Sequence, residues 1–277
     1  MSGRRHTVIG AGGVALHVRD SGPSEAPAIL MIHGWSQYHG CWQAQTPLAA
    51  RFRLVSYDLR GHGASEKPGA DEAYAGGAVW GEDVAAIITA LALNRPILVG
   101  WSYGSRSVAA FLERFGSENL AGVVLAGGVL AIGGAREDWM AGAQSPGSDR
   151  DLYTDDLPRR LSATTRFVEA CCARPLTRLA LAEMVGANML CPPHVRRAMF
   201  AGDHDLRPAF AALERPALVI HGTADGVVTP AVGRTAAELM PQGRHLPYEG
   251  IGHAPFMEAS DRFNTDLASF VQSASTK

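Results

Sequence analysis

The sequence predicts an α/β fold built on a mostly parallel, doubly wound sheet of eight strands. Short apolar runs alternate with segments whose apolar residues recur at helical spacing, which favours parallel strands covered by helices on both faces. The chain has 277 residues, of which 47% are hydrophobic. It is therefore long enough to bury a sizeable core as one domain that carries an insertion.

The strand candidates begin with an antiparallel hairpin, because residues 7–10 and 14–19 flank the turn-forming Gly12 and Gly13. Six further apolar runs are interpreted as strands, at residues 29–32, 54–57, 97–99, 123–126, 218–220 and 245–248. Helices are predicted where apolar residues recur every three or four positions, at residues 77–93, 105–115 and 262–272.

One segment interrupts this alternation. Residues 131–204 contain no convincing strand, are rich in Arg, Asp and Ala, and carry large apolar residues at helix-like intervals. They follow the sixth strand candidate. The sequence therefore predicts a core made of residues 1–130 and 205–277, with a helical insertion between the two parts.

The most informative motif is a G-x-S-x-G turn between the fifth strand candidate and the helix that follows it. Ser102 stands at its centre, and Gly100 and Gly104 leave room for the chain to reverse. A serine at so tight a turn has strained backbone angles, and its hydroxyl projects above the sheet edge at the positive end of a helix. This geometry predicts a nucleophile.

The partners of such a serine follow in the chain. Asp225 comes just after the strand candidate at 218–220, and His253 follows the one at 245–248. The order Ser, Asp, His differs from the orders of the chymotrypsin and subtilisin types. We expect His253 to take the proton of Ser102 and return it to the leaving group, while Asp225 fixes the imidazole tautomer.

Other acids and histidines are expected to have structural roles. Asp58 and Asp83 do not follow strands near the His253 loop, and Asp58 is expected to brace its turn with Arg60. Loop support by hydrogen bonding is predicted for three histidines, His33, His62 and His221. There is no H-E-x-x-H motif and no clustered His/Asp set in the sequence, so no metal site and no cofactor are predicted.

These motifs, with the His33-Gly34-Trp35 loop and residues 57–65, make the chain resemble the α/β-hydrolase superfamily. The similarity is to its capped esterase, C–C hydrolase and cofactor-free haloperoxidase-like branch. It implies an oxyanion hole formed by the backbone N–H groups of Trp35 and Tyr103. It also implies that residues 131–204 form a helical cap over Ser102. The alternative is an ordinary helical insertion that packs elsewhere.

The resemblance implies a serine hydrolase that cleaves carboxylic esters of small to medium acyl groups through an acyl-enzyme intermediate, without a cofactor. Four alternatives stay open: a perhydrolase of the haloperoxidase-like kind, a lactonase, a C–C bond hydrolase, or a ligand-binding receptor with slow turnover. Trp35 follows a single glycine, and we expect its side chain to narrow the site. Acyl groups of about two to six carbons should then be preferred.

Composition limits the partners. The net charge is −2 and the isoelectric point about 6.5, which gives no attraction to nucleic acid or to an anionic membrane. No signal-peptide core and no membrane-spanning apolar run are found in the sequence, and the four cysteines form no C-x-x-C pair. We expect a cytoplasmic protein with reduced thiols and a small-molecule ester substrate. Homo-oligomerisation is left open.

Overall fold

The structure is a computed structural model, and it describes residues 3–275. It contains ten strands: β1 (Arg4–Ile9), β2 (Ala15–Ser21), β3 (Ala28–Ile32), β4 (Arg53–Tyr57), β5 (Ile97–Trp101), β6 (Gly122–Ala126), β7 (Ala131–Ile132), β8 (His204–Asp205), β9 (Ala217–Gly222) and β10 (Gly243–Tyr248). Eight of them form one sheet in the order β1-β2-β4-β3-β5-β6-β9-β10. Only β2 pairs antiparallel, with β1 and β4, so the predicted mostly parallel sheet of eight strands is confirmed.

Helices cover both faces of this sheet. The α-helices are α1 (Glu72–Ala75), α2 (Ala78–Ala90), α3 (Gly104–Phe115), α4 (Leu157–Ala170), α5 (Arg178–Met189), α6 (Pro193–Ala198), α7 (Arg207–Ala211), α8 (Pro230–Leu239), α9 (Pro255–Glu258) and α10 (Ser260–Ser275). A 3-10 helix spans His39–Ala50. None of the helices within residues 3–275 has the length and apolar character needed to cross a bilayer.

Side chains that alternate along a strand belong to different halves of the core. On β3, Leu30 and Ile32 belong to the cluster that includes the apolar side of α2, whereas Ile29 and Met31 belong to the cluster that includes α10. All four are buried. A strand buried on both faces reads as a continuous apolar run, which explains why β3 and its parallel neighbours were recognisable in the sequence.

The insertion between β6 and β9 is largely helical and contains α4, α5 and α6. The expectation that it holds no strand was wrong at its ends, because β7 and β8 pair as a short antiparallel ribbon. Two-residue strands are too short to leave an alternating pattern in the sequence. The ribbon brings the two ends of the insertion together beside the core.

A buried arginine holds the insertion together. The Arg196 guanidinium donates to three main-chain oxygens and one hydroxyl, those of Leu152, Asn188, Cys191 and Thr164. All of these acceptors are uncharged, and the Arg196 side chain is inaccessible to solvent. Burial lowers the pKa of Arg196 from its ordinary value. Interior hydrogen bonds therefore fix the relative positions of α4, α5 and α6.

Candidate active site

Ser102 lies at the turn between β5 and α3 in a strained conformation. Its φ angle is +52°, in the left-handed region that side chains other than glycine rarely adopt. Its N–H donates to Ala126 O on β6 at 3.0 Å, and its carbonyl oxygen accepts from Ser105 N at 2.9 Å. A Cβ on Gly104 would lie only 2.5 Å from Ile32 O, so the turn requires glycine there. The surrounding structure thus holds Ser102 in place.

His253 and Asp225 meet at the same edge of the sheet. His253 follows β10, Asp225 follows β9, and these two strands are adjacent and parallel. The His253 Nδ1 atom lies 2.7 Å from Asp225 Oδ2, and both side chains are buried. The Trp101 indole N–H donates to His253 O at 2.9 Å, which ties the histidine loop to the residue before Ser102.

The Asp225 carboxylate has more partners than the sequence indicated. Its Oδ1 accepts from the N–H groups of Val227 and Val228 at 2.8 and 2.9 Å. Its Oδ2 also lies 2.9 Å from Nε2 of His221, a residue for which only loop support was predicted. Burial by itself would raise the pKa of Asp225, but His253 and His221 outweigh it and hold that pKa well below its usual range. The carboxylate is therefore ionised at neutral pH.

The sequence carried only a weak signal for the His221 contact. His221 and Asp225 are four residues apart, but they lie at a strand end and its turn and not on a helix. No regular spacing rule brings such a pair together. The contact depends on how the turn after β9 folds.

Trp35 and Tyr103 contribute free main-chain donors beside Ser102. Within residues 3–275 the N–H group of neither residue has a hydrogen-bond acceptor. A Cβ on Gly34 would lie 3.2 Å from the Ser102 Cβ, so the loop that carries Trp35 packs directly on the nucleophile turn. Unpaired main-chain N–H groups at such a place can donate hydrogen bonds to an anionic oxygen.

Ser102, His253, Trp35 and Tyr103 all line one cavity of about 200 Å³. Asp225 does not line it and contacts His253 from behind. The insertion contributes much of the remaining wall, with apolar side chains that include Ile132, Met140, Tyr153, Phe167 and Phe200. The volume is below the roughly 300–1,000 Å³ of typical ligand pockets, so the space suits a small ligand.

The loop that carries Trp35 is packed against the insertion. The Trp35 side chain is only 4% exposed, its indole N–H donates to Arg196 O at 3.3 Å, and the Arg196 guanidinium lies over its ring at 5.5 Å. Three aromatic rings lie 5.4–5.6 Å from it, those of Tyr153, Phe167 and Phe200. A second connection runs from Tyr103 Oη to Met199 O at 2.6 Å.

Two buried neutral histidines hold the same loop. Nε2 of His33 accepts from Leu59 N at 3.0 Å, and Nε2 of His62 accepts from Ser36 N at 3.1 Å. Burial lowers the pKa of His33 to about 4 and that of His62 to about 3. Both rings are uncharged at neutral pH, and these hydrogen bonds are of the loop-supporting kind expected for them.

One predicted ion pair is wrong. Asp58 does not pair with Arg60. Its Oδ1 accepts from the main-chain N–H of His39 at 2.7 Å and lies 2.8 Å from the His39 ring nitrogen. Arg60 pairs with Asp83 on α2, at 2.6 and 2.8 Å. Packing of α2 against the turn brings Asp83 there, and no local pattern reveals that packing.

The structure also assembles a group of possible cation ligands that the sequence pattern did not show. Ligand atoms of His17, His39 and Asp58 lie within 4.8 Å of one another. They come from β2, from the first residue of the 3-10 helix His39–Ala50 and from the turn after β4, so no spacing motif connects them. None of the three lines the cavity described above. The group therefore lies apart from the candidate active site.

The fold has close counterparts among known proteins. Residues 29–266 match the alpha/beta hydrolase family. The chain belongs to that family. This match confirms the resemblance to the α/β-hydrolase superfamily and covers most of the chain.

Relatives of this chain include named esterases. A bifunctional esterase/perhydrolase of Acinetobacter calcoaceticus is 28% identical over 94% of this chain and 97% of its own length. A pimeloyl-[acyl-carrier protein] methyl ester esterase of Edwardsiella ictaluri is 30% identical, over 89% of this chain and 94% of its own length. The crystal structure of the esterase RhEst1 from Rhodococcus sp. ECU1013 superposes with a TM-score of 0.91, at 32% identity, and covers 99% of this chain and all of that one.

Proposed function

We propose that the protein hydrolyses carboxylic esters of small to medium acyl groups, with Ser102 as nucleophile, His253 as base and Asp225 as the acid of the triad. The coarser statement, that it is a serine ester hydrolase, is supported by its similarity to named esterases in both sequence and structure. The finer proposal is carried by the 2.7 Å contact between His253 Nδ1 and Asp225 Oδ2, next to a cavity that Ser102 and His253 share.

In the first half of the reaction Ser102 Oγ attacks the ester carbonyl carbon, and His253 Nε2 takes the serine proton. The carbonyl oxygen becomes an oxyanion and accepts hydrogen bonds from the N–H groups of Trp35 and Tyr103. The bond to the alcohol oxygen then breaks, and His253 gives its proton to the departing alcohol. Asp225 keeps the proton of the neutral imidazole on Nδ1 and stabilises the imidazolium.

In the second half, water replaces the alcohol. His253 takes a proton from the water, whose oxygen attacks the acyl carbon of the acyl-serine. The ester bond to Ser102 breaks, the serine oxygen recovers the proton from His253, and the carboxylic acid leaves. No group outside the protein and its two substrates is needed for this sequence.

We also propose that residues 131–204 form a lid over Ser102 and that residues 1–130 and 205–277 form the catalytic core. Lid residues make much of the cavity wall opposite Ser102, and Tyr103 and Trp35 are hydrogen-bonded to main-chain oxygens of the lid. The small apolar cavity limits the length of the acyl group. Short acyl chains are therefore the preferred substrates.

A second candidate activity is perhydrolysis. The same acyl-serine would be attacked by hydrogen peroxide in place of water and would give a peroxycarboxylic acid. One observation favours it: a relative that covers nearly the whole chain is named a bifunctional esterase/perhydrolase.

Labelling with a fluorophosphonate probe tests the proposal directly. The wild-type protein should be labelled at Ser102 and should hydrolyse p-nitrophenyl acetate and butyrate faster than the octanoate and palmitate. Ser102→Ala should remove the label and lower kcat by at least about 10⁴-fold, because the triad acts as a unit. Labelling of Ser102→Ala, or hydrolysis within tenfold of wild type, would contradict the assignment. Peracid formation from short carboxylic acids and hydrogen peroxide measures the second activity.

A further inference from the structure

The cavity carries a fixed positive charge that the proposed reaction does not use. Arg136 follows the 3-10 turn Gly133–Ala135 at the start of the lid and lines the cavity. The residues that line this cavity in the described part of the chain include no Asp, Glu or Lys. Most of the others are apolar or uncharged. The Arg136 guanidinium is therefore the permanent charge of this site.

This guanidinium has no anionic partner among residues 3–275. Its sequence neighbour Glu137 accepts instead from Arg207 at 2.6 Å and from the indole N–H of Trp139 at 2.9 Å. Acids elsewhere in the region are also engaged: Asp205 with Arg207, Asp149 with Arg166, and Asp151 with Arg159. These acids are paired with other arginines, and none of them forms an ion pair with Arg136, so its charge is available to a ligand.

The position of Arg136 fits a contact at the outer end of a bound substrate. Arg136 is exposed, so it lies at the opening of the cavity, whereas Ser102 is partly buried inside it. A Cβ on Gly147 would lie 3.4 Å from Arg136 Nη2, and Gly147 also lines the cavity. No side chain at position 147 separates the guanidinium from the cavity.

We propose that Arg136 binds a carboxylate carried by the ester substrate at a point remote from the scissile bond. A guanidinium binds a carboxylate through two parallel hydrogen bonds, and an apolar wall strengthens the attraction. The preferred substrates are then short esters with one free carboxylate, such as half-esters of small dicarboxylic acids. This inference rests on the proposed ester hydrolysis at Ser102 and names its substrate class.

The test compares charged and neutral esters of matched size. One arm measures kcat/KM for the monoethyl and diethyl esters of succinate, glutarate and adipate, which place the carboxylate on the acyl side. A second arm uses acetoxyacetate and its methyl ester, which place it on the alcohol side. Wild type should prefer the charged member in at least one arm. In Arg136→Gln that preference should fall about tenfold, chiefly through KM, and Arg136→Lys should restore part of it.

A matched control separates a local contact from the general charge of the lid. Arg150 is also exposed, lies in the same segment and does not line the cavity. Arg150→Gln should leave the ratio of kcat/KM for charged to neutral esters unchanged. Added salt screens exposed charges. At roughly 0.5 M it should therefore reduce the preference of the wild type for charged over neutral esters.

Two failures can be distinguished. If wild type hydrolyses the neutral diesters but Arg136→Gln leaves the charged-to-neutral ratio unchanged, or shifts it no more than Arg150→Gln does, the carboxylate site is overturned and ester hydrolysis stands. If wild type hydrolyses neither the charged nor the neutral esters of either arm, nor p-nitrophenyl acetate, the proposed function itself fails.

Discussion

The nucleophile region and the lid are stabilised in different ways. Around Ser102, main-chain hydrogen bonds join β5, β6 and α3, and the loops after β9 and β10 bring Asp225 to His253. In the lid, the buried Arg196 joins α4, α5 and α6 through hydrogen bonds to uncharged oxygens. The first region has its geometry set by the sheet. The second depends on side-chain packing that can change without altering the sheet.

This difference suggests a division of labour. Residues at the carboxyl ends of the strands would set the rate of bond cleavage, whereas lid residues would set which ester fits. Substitutions in the first region should then lower kcat for all esters alike. Substitutions at the interface between the two regions should change the order of substrates.

The largest effect is expected at the triad acid. Asp225→Asn removes the charge that holds His253 in its working tautomer and should lower kcat on the order of 10²–10⁴-fold for every ester. Asp58→Asn is the matched control, because Asp58 is equally buried and also contacts a histidine, but lies away from the cavity. Steady-state kinetics should give a far larger loss of kcat for Asp225→Asn than for Asp58→Asn, once the two variants are shown to be equally stable. A greater loss of kcat in Asp58→Asn would mean that the acid has been misplaced.

Acid should lower the stability of the protein through His33 and His62, the two buried histidines that hold the loop that carries Trp35. His33 and His62 have folded-state pKa values of about 4 and about 3, below the usual value of about 6.5 in the unfolded chain. The stability that they contribute is complete above about pH 6.5 and is lost as the pH falls toward these folded values. By linkage, the free energy of unfolding should drop by about 2 kcal/mol per histidine between pH 7.5 and pH 5.

Urea unfolding at several pH values measures how steeply the free energy of unfolding falls as the pH is lowered. His62→Asn removes one of the two groups and should flatten the slope while lowering the stability at pH 7.5. A free energy of unfolding that stays constant from pH 7.5 to pH 5 would show that the two rings are not held neutral in the folded state.

The smallest effect on catalysis is expected at Trp35, whose indole lies between the nucleophile region and the lid. Trp35→Ala should raise the kcat/KM ratio of octanoyl to acetyl p-nitrophenyl esters by roughly tenfold, because it removes a wall of the cavity. Esters of tert-butanol should be nearly inert in wild type. The ring is almost fully buried, so the variant should also lose about 3–5 kcal/mol of stability.

A milder variant and a control keep this test informative. Trp35→Phe keeps most of the packing, loses the hydrogen bond to Arg196 O and should give a smaller shift in the same direction. Trp42→Phe alters a tryptophan that is equally buried but does not line the cavity. An octanoyl-to-acetyl ratio unchanged in both Trp35 variants, or an optimum at palmitate in wild type, would show that Trp35 does not limit the acyl group.

The local sequence determined much of the fold and of the candidate site. The parallel strands β3, β4, β5, β6 and β9 are fully buried and were visible as apolar runs, whereas the edge strand β10 is only partly buried. The helices were visible from their repeat. Ser102 was marked by its glycines, and Asp225 and His253 by their places after strands. In parallel sheets the carboxyl ends of neighbouring strands share one edge, so chain order alone predicts that such residues come together.

Tertiary structure decided the contacts that cross between elements. The second histidine on Asp225, the pairing of Arg60 with Asp83, the β7–β8 ribbon and the four acceptors of Arg196 all join residues with no common periodicity. Tertiary structure also decided that Arg136 has no ion-pair partner, because its neighbour Glu137 pairs with the distant Arg207 instead. Sequence patterns record which face of an element is buried. Which polar groups then meet is fixed by the packing of elements that are distant in the chain.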